Sequence, residues 1–138
     1  MHGRKIGVLV VVASLGMGGC AAPPPKPYKL PVVVNTTPPT CSTQKDCELM
    51  WVNAQEWLGT ITRMRLRIVT DSRLETFAAT DFQHMSGTVL KYPLANGSYE
   101  LRIALQCYRE DGIRECADLK ANATNIFNTA VRSPEIAR

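Results

Sequence analysis

Apolar residues recur with the period of a helix between residues 43 and 59. Six of them fall on one helical face: Cys47, Met50, Trp51, Ala54, Trp57 and Leu58. Thr43 stands three residues before Asp46, just ahead of this run, and that spacing is typical of the capping box that begins a helix. The pattern therefore predicts a helix that begins after Thr43 and ends at Gly59.

The period changes to that of a strand after residue 60. Apolar and polar residues alternate from Ile61 to Val69, which predicts a first strand, and a second is predicted over residues 73–77. Asn96-Gly97 is typical of a two-residue type I′ turn, so a hairpin is predicted to pair residues 88–94 with residues 98–108.

A last apolar stripe predicts a helix near the C-terminus: Leu119, Ala123, Ile126, Phe127 and Ala130. The order of helix, strands and helix favours an α+β fold, because helices cover the apolar face of an antiparallel sheet. We expect about four antiparallel strands, with the N-terminal and C-terminal helices on one face.

The first twenty residues have the pattern of a targeting segment. Arg4 and Lys5 precede an uncharged stretch from Ile6 to Leu15, which is shorter than the roughly 20 residues that a transmembrane helix needs. The following Gly18-Gly19-Cys20 resembles the end of the lipobox of bacterial lipoproteins, although Met17 stands where that pattern usually has Leu.

The lipoprotein resemblance implies a location for the domain. It implies that residues 1–19 are a signal peptide and that Cys20 is lipidated and becomes the mature N-terminus. Ala21, in place of an Asp after that cysteine, implies transport to the outer membrane of a Gram-negative cell. The lipid chains would anchor the protein, and no basic patch is needed for that purpose.

Residues 20–40 are predicted to be a linker. Seven of the nine prolines lie between Pro23 and Pro39, a density that disfavours helix and sheet. The preferred interpretation is a stalk between anchor and domain, while Val32–Val34 offers an alternative as a short edge strand. The folded domain is then expected to span residues 41–138.

Four cysteines remain in this domain, and in an exported protein an even number favours disulfides. Asp111-Gly112 is a second type I′ signal, which would place Cys107 opposite Cys116 in a short hairpin. Their Cα atoms would then lie about 4.5 Å apart, which a disulfide tolerates. The spacing predicts Cys107–Cys116, and elimination leaves Cys41–Cys47. Neither pair has the C-x-x-C spacing of zinc sites, so no metal and no cofactor is expected.

Two features are candidates for binding. Arg63, Arg65 and Arg67 would share one face of the first strand, about 7 Å apart, in a row suited to phosphates. The alternative is a solvated face whose charges are balanced by neighbours such as Glu75 and Glu100. Trp57 lies at the edge of the apolar stripe of the first helix, so it is either part of a partner surface or part of the core.

Catalytic chemistry has weaker support. Asp81, His84 and Ser86 are the right residue types for a hydrolase, but neighbours in one short segment seldom converge on one point. No G-x-S-x-G or H-E-x-x-H motif occurs in the sequence. We therefore expect no enzyme and assign no catalytic residue, and a small hydrolase is the least favoured alternative.

A short match offers another function. Ser86-Gly87 followed by Lys91-Tyr92 resembles the Ser-Gly loop of periplasmic lysozyme inhibitors, which are small disulfide-bonded lipoproteins. That family is an all-β barrel, whereas two helices are predicted here. Inhibition of a lysozyme or another envelope-directed hydrolase is kept as the alternative function.

Composition and charge limit the classes of protein and of partner that fit this chain. The chain has 138 residues, 45% hydrophobic and 20% charged, which excludes collagen, wholesale disorder and a polytopic membrane protein. Its net charge of +4 comes entirely from the first forty residues, because residues 41–138 hold twelve basic and twelve acidic side chains. A neutral domain without a binding motif disfavours nucleic acid.

The mature chain as a whole resembles proteobacterial lipoproteins that have a Cys-helix-Trp opening and two short disulfide loops, a family that implies no activity. We expect an outer-membrane-anchored, non-enzymatic binding or scaffolding module on the periplasmic side. Its partners would be the membrane, through the lipid on Cys20, and a protein of the cell envelope.

Overall fold

The computed structural model describes residues 29–109 and 114–132, which form one antiparallel sheet and two helices. In chain order the elements are β1 (Thr40–Cys41), α1 (Gln44–Thr62), β2 (Leu66–Val69), β3 (Arg73–Thr76), β4 (Met85–Pro93), β5 (Tyr99–Cys107) and α2 (Arg114–Ala130). The strands lie in the order β1-β5-β4-β3-β2. The predicted α+β class is confirmed. Within these residues, neither helix is long and apolar enough to cross a membrane.

Helix α1 begins at the predicted capping box. The Thr43 hydroxyl accepts a hydrogen bond from Asp46 N at 3.1 Å and donates one to the Asp46 carboxylate. The helix continues past Gly59, where it was predicted to end, and stops at Arg63, which adopts a left-handed conformation with φ 56°. Strand β2 consequently begins at Leu66, five residues later than the alternating pattern indicated.

The core lies between the helices and one face of the sheet. The predicted stripe of α1 is buried there, with Trp57 partly exposed at its margin, and it packs against Leu74, Val89 and Leu101 of the strands. In α2 the buried side chains include Ala123 and Phe127, whereas Leu119 and Ile126 of the predicted stripe are 53% and 42% exposed.

Gly87 allows α1 to lie close to the centre of the sheet. A Cβ atom at this position of β4 would lie 2.6 Å from Leu58 Cδ1 and 3.0 Å from Leu105 Cδ2. No ordinary carbon–carbon contact is that short, so any larger residue would displace the core side chains. The absence of a side chain at Gly87 therefore sets the distance between helix and sheet.

The β4–β5 hairpin differs from its prediction at the turn. Leu94 N donates to Ser98 O at 2.8 Å, and the three residues between them form the loop. Gly97 has a positive φ of 78°, but Asn96 does not, so this is not a type I′ turn. A three-residue loop with a left-handed glycine satisfies the same Asn-Gly pair in a different way.

Both predicted disulfides are present, with Cα–Cα distances of 5.1 Å for Cys41–Cys47 and 6.2 Å for Cys107–Cys116. The predicted hairpin around Cys116 is wrong, because this cysteine lies in the first turn of α2. Its side chain is buried on the same helix as Phe127, so the helical period outweighs the local turn signal. Asp111-Gly112 lies outside the described residues.

Residues 32–38, which we call the strap, lie along α2. Val32 N donates to Asp118 Oδ1 at 2.9 Å, and the Thr36 hydroxyl donates to Asn125 Oδ1 at 2.9 Å. Arg132 donates to the carbonyl oxygen of Thr37 at 2.6 Å. The packed unit therefore extends at least to Val32, upstream of the domain boundary predicted at residue 41.

The edge strand next to β5 is Thr40–Cys41 and not the alternative Val32–Val34, which belongs to the strap. Pro39 is buried, and its carbonyl oxygen accepts a hydrogen bond from Leu101 N at 2.9 Å. The predicted signal peptide, Cys20 and the first part of the linker lie outside the described residues.

Candidate functional site

One face of the sheet is left without a helix in the described part of the chain, since α1 and α2 both pack on the other face. We call it the open face. Strand alternation and the observed register place these side chains on it: Arg67, Arg73, Glu75, Thr88, Leu90, Tyr92, Arg102 and Ala104.

Two rows of paired residues cross the open face. Leu90 of β4 pairs with Arg73 of β3 on one side and with Arg102 of β5 on the other. In the next row Thr88 pairs with Glu75 and with Ala104. Because the second row has small side chains at its centre, a depression of about 530 Å³ forms over it.

Glu75 organises the first part of the open face. Arg67 and Arg73 both form ion pairs with its carboxylate, one with each oxygen. The Glu75 side chain is only 15% exposed, whereas each arginine side chain remains about half exposed. The hydrogen bond from Arg67, and then that from Arg73, hold the pKa of Glu75 below its ordinary value. Glu75 thus fixes two guanidinium groups whose remaining N–H donors face solvent.

Arg102 organises the other side of the open face. Its guanidinium carbon lies 4.4 Å from the centre of the Tyr92 ring, within the range of a cation–π interaction. Its Nε donates to the Glu100 carboxylate, and this hydrogen bond raises the pKa of Arg102. The stack and the ion pair hold a third guanidinium group beside Leu90.

The predicted arginine row is not formed. Arg63 ends α1, Arg65 lies in the segment before β2, and of the three only Arg67 is on a strand. The row does not form because α1 continues to Thr62, so the first residues of the alternating pattern are helical and β2 begins only at Leu66. The alternative interpretation, in which Glu75 balances the arginine charge, describes the observed pair of Glu75 with Arg67.

The two tryptophans both contribute to the core. Trp51 is buried, and its indole Nε1 donates to Thr70 O at 3.0 Å. Trp57 is half-buried and packs against the core cluster. Its Nε1 is buried without a hydrogen-bond partner among the described residues. This packing favours a structural role for Trp57 over a place on a partner surface.

The residues considered for catalysis come together only in part. His84 Nδ1 lies 2.6 Å from Asp81 Oδ1, and this hydrogen bond lowers the pKa of Asp81. Ser86 belongs to β4, where it lines the depression on the open face. His84 instead lines a separate depression beside the Cys107–Cys116 disulfide. The Asp81–His84 pair and Ser86 therefore border two different depressions.

The residues that resemble the lysozyme-inhibitor loop lie on opposite faces of β4. Ser86 is on the open face, while Gly87 is buried beneath α1. The Nζ atom of Lys91 lies 4.7 Å from the centre of the Tyr99 ring and 5.7 Å from that of Trp51, on the helix-covered face. These residues do not form one contiguous loop surface.

Metal ligands are not clustered in the described residues, where no three His, Cys, Asp or Glu side chains could hold an ion together. The four cysteines of the domain are all held in disulfides, so none offers a thiolate. The charged groups that the structure brings together are instead arginines and glutamates on the open face.

The sequence patterns did not point to Arg73 and Arg102 of the open face as candidate binding residues. Strand alternation could have found them, because each neighbours a buried leucine, Leu74 or Leu101, in a predicted strand.

Comparison with known proteins finds no matching family model, no similar curated protein and no matching solved structure.

Proposed function

We propose that this chain is a lipoprotein of the outer membrane, anchored through Cys20, and that its domain is a non-enzymatic binding module in the periplasm. The lipobox-like residues before Cys20 support the anchor. The open face supports the binding role, and a protein of the cell envelope is its partner.

The observation that carries this proposal is the row Arg73–Leu90–Arg102. Arginine and tyrosine are enriched in binding hot spots, because they combine apolar area with donors of fixed geometry. Glu75 and Tyr92 hold these arginines in place before any partner arrives, so little side-chain entropy is lost on binding. The fitting partner surface is an apolar side chain flanked by carboxylates.

The non-enzymatic part of the proposal is supported by the position of Ser86. Asp81 and His84 form a hydrogen-bonded pair, but Ser86 lines the depression on the open face, whereas His84 lines a separate depression. The expected phenotype of His84→Ala is therefore full binding to the envelope partner. A substrate that the purified protein turns over, with the turnover lost in His84→Ala, would contradict this part of the proposal.

Site-specific photo-crosslinking in intact cells tests the binding surface. Gln106 is exposed and lines the depression, so Gln106→p-benzoylphenylalanine is expected to give an adduct with an envelope protein. Val52→p-benzoylphenylalanine is the matched control, because Val52 is 56% exposed on the outer side of α1.

Charge variants decide whether the adduct depends on the arginines. Arg73→Ala combined with Arg102→Ala is expected to remove the Gln106 adduct, while Lys45→Ala, an exposed charge on α1, leaves it. Equal adducts at Gln106 and Val52, or an adduct that survives loss of both arginines, would refute the open face as the binding surface. Incorporation of labelled palmitate into the wild-type chain, and not into Cys20→Ala, tests the anchor separately.

A further inference from the structure

Apolar side chains are unusually exposed at the end of the domain that carries the Cys107–Cys116 disulfide. Phe82 is 69% exposed, Leu119 is 53% exposed and Tyr108 is 41% exposed. The rings of Phe82 and Tyr108 pack edge to face with their centres 5.5 Å apart. Together the three residues, which we call the disulfide-end patch, border a depression of about 360 Å³.

The strap leads the chain to this patch. It runs parallel to α2, since Val32 bonds to Asp118 near the start of the helix and Thr37 bonds to Arg132 just beyond its end. Asp118 is one helical position from Leu119. Val32, at the start of the strap, therefore lies beside the turn of α2 that carries Leu119 of the disulfide-end patch. Leu30 and Val33, on either side of Val32, are 80% and 63% exposed.

The tether to the anchor is short. Leu30 is the tenth residue after Cys20, and a fully extended chain of ten residues spans at most about 35 Å. This is about the width of a domain of one hundred residues. A lipid on Cys20 would consequently hold the patch close to the bilayer and raise its effective concentration there.

We infer that the disulfide-end patch docks on the surface of the membrane that holds the anchor, with Phe82, Tyr108 and Leu119 in the interfacial layer. This inference rests on the proposed lipid anchor and adds an orientation to it. The open face then stands away from the chain's attachment point and stays available to a partner.

The charges around the patch indicate which lipid chemistry it fits. Arg63 and Arg109 are exposed at its margin, and Glu115 and the His84-paired Asp81 lie beside them. Because these charges are balanced, docking relies on apolar and aromatic side chains and not on anionic lipid. Zwitterionic vesicles are therefore a sufficient target.

Fluorescence quenching by brominated lipid tests the orientation. Full-length lipidated protein is reconstituted into phosphatidylcholine vesicles with or without bromine on the acyl chains, as wild type and as Phe82→Trp. The indole added at position 82 is expected to be quenched about twofold or more, because interfacial side chains penetrate roughly 5–10 Å. Leu119→Trp provides a second reporter in the patch.

Val69→Trp is the matched control. Val69 is 53% exposed at the end of β2 away from Arg63, so its added indole is expected to escape quenching in the same vesicles. Equal quenching at positions 82 and 69, or none at positions 82 and 119, would overturn the inference. A photo-crosslinker at Phe82 that traps an envelope protein, with no quenching in vesicles, would overturn it in favour of a protein contact.

The outcomes separate this inference from the proposed function. If the Gln106 adduct and palmitate labelling persist while the Phe82 reporter is unquenched, the docking inference fails and the binding module stands. If Cys20 carries no lipid, the anchor and the docking inference both fail. Quenching at Phe82 without any adduct at Gln106 would support membrane docking and contradict the open-face partner.

Discussion

Asn125 of α2 binds the strap through both ends of its side-chain amide. Its Oδ1 accepts hydrogen bonds from Asn35 N at 3.0 Å and from the Thr36 hydroxyl at 2.9 Å, and its Nδ2 donates to Val33 O at 2.9 Å. One side chain thus provides hydrogen-bond partners for both an N–H and a C=O group of the extended strap, as a neighbouring strand would do in a sheet.

Asn125→Ala is expected to release the middle of the strap. The lost hydrogen bonds should lower the free energy of unfolding by about 1–3 kcal/mol. Hydrogen exchange at the amides of residues 35 and 36 should become much faster. Asn122→Ala, an exposed position of the same helix, is the control and should leave exchange unchanged. Unchanged protection in Asn125→Ala would show that the strap is held by other contacts.

Gly87→Ala is expected to destabilise the domain. The added methyl would lie 2.6 Å from Leu58 Cδ1, so the core must shift, at a cost of about 1–3 kcal/mol. Gly59→Ala is the matched control, because an added Cβ there meets only Met64 O at 3.7 Å. That control should instead stabilise α1 by about 0.5–1 kcal/mol. Thermal melts should show a lower melting temperature for Gly87→Ala and a higher one for Gly59→Ala. An unchanged melting temperature in Gly87→Ala would contradict the close approach of helix and sheet.

The ion pairs of Glu75 predict a loss of stability in acid. Because the pKa of Glu75 is lower in the folded than in the unfolded chain, its contribution is present above the ordinary value near 4.5. The contribution disappears as the pH falls through the lowered pKa. Urea unfolding should therefore show a gap between wild type and Glu75→Gln near neutral pH that closes in acid. Glu56→Gln, on the exposed side of α1, should show no such pattern, and a gap that widens in acid would reverse the predicted sign.

The Cys107–Cys116 disulfide joins the end of β5 to the first turn of α2. Replacing both cysteines by alanine should cost about 2–3 kcal/mol, since the bond closes a loop of nine residues in the unfolded chain. Chemical denaturation measures this change. Hydrogen exchange should locate the loss in the first turns of α2, and uniform loss across the sheet would contradict a local role for the disulfide.

The fold was readable from the sequence wherever the apolar period was long and consistent. The α1 stripe, its Thr43 cap and the pairing of Cys41 with Cys47 are all present in the structure. The errors arose where a local signal competed with a neighbouring element. Helix α1 continues past Gly59, where the sequence predicted its end, and Cys116 lies in α2 and not in the predicted hairpin. Tertiary packing determines where such elements begin and end, and the residues next to a boundary do not reveal that packing.

The candidate site was less predictable for a related reason. Arg73 and Arg102 become neighbours of Leu90 only through the register of three strands, which a pattern within one strand does not specify. The strap was missed because proline-rich segments favour a linker, and its bonds to Asn125 and Asn128 join residues ninety or so positions apart. Sequence patterns report local period and turn chemistry, whereas these contacts depend on the assembled fold.

The parallel course of the strap and α2 gives the domain a defined mechanical behaviour. Tension on the chain upstream of Val32 would run along the strap and load its bonds to Asp118, Asn125 and Arg132 in shear, all at once. Bonds loaded together share the force, whereas bonds opened in sequence each carry it alone. Beyond the strap, the remaining load reaches β5 through its pairing with β1, and it reaches the start of α1 through the Cys41–Cys47 disulfide. A pull on the chain upstream of Val32 would thus be resisted first by α2, which lies on the face of the sheet opposite the open face.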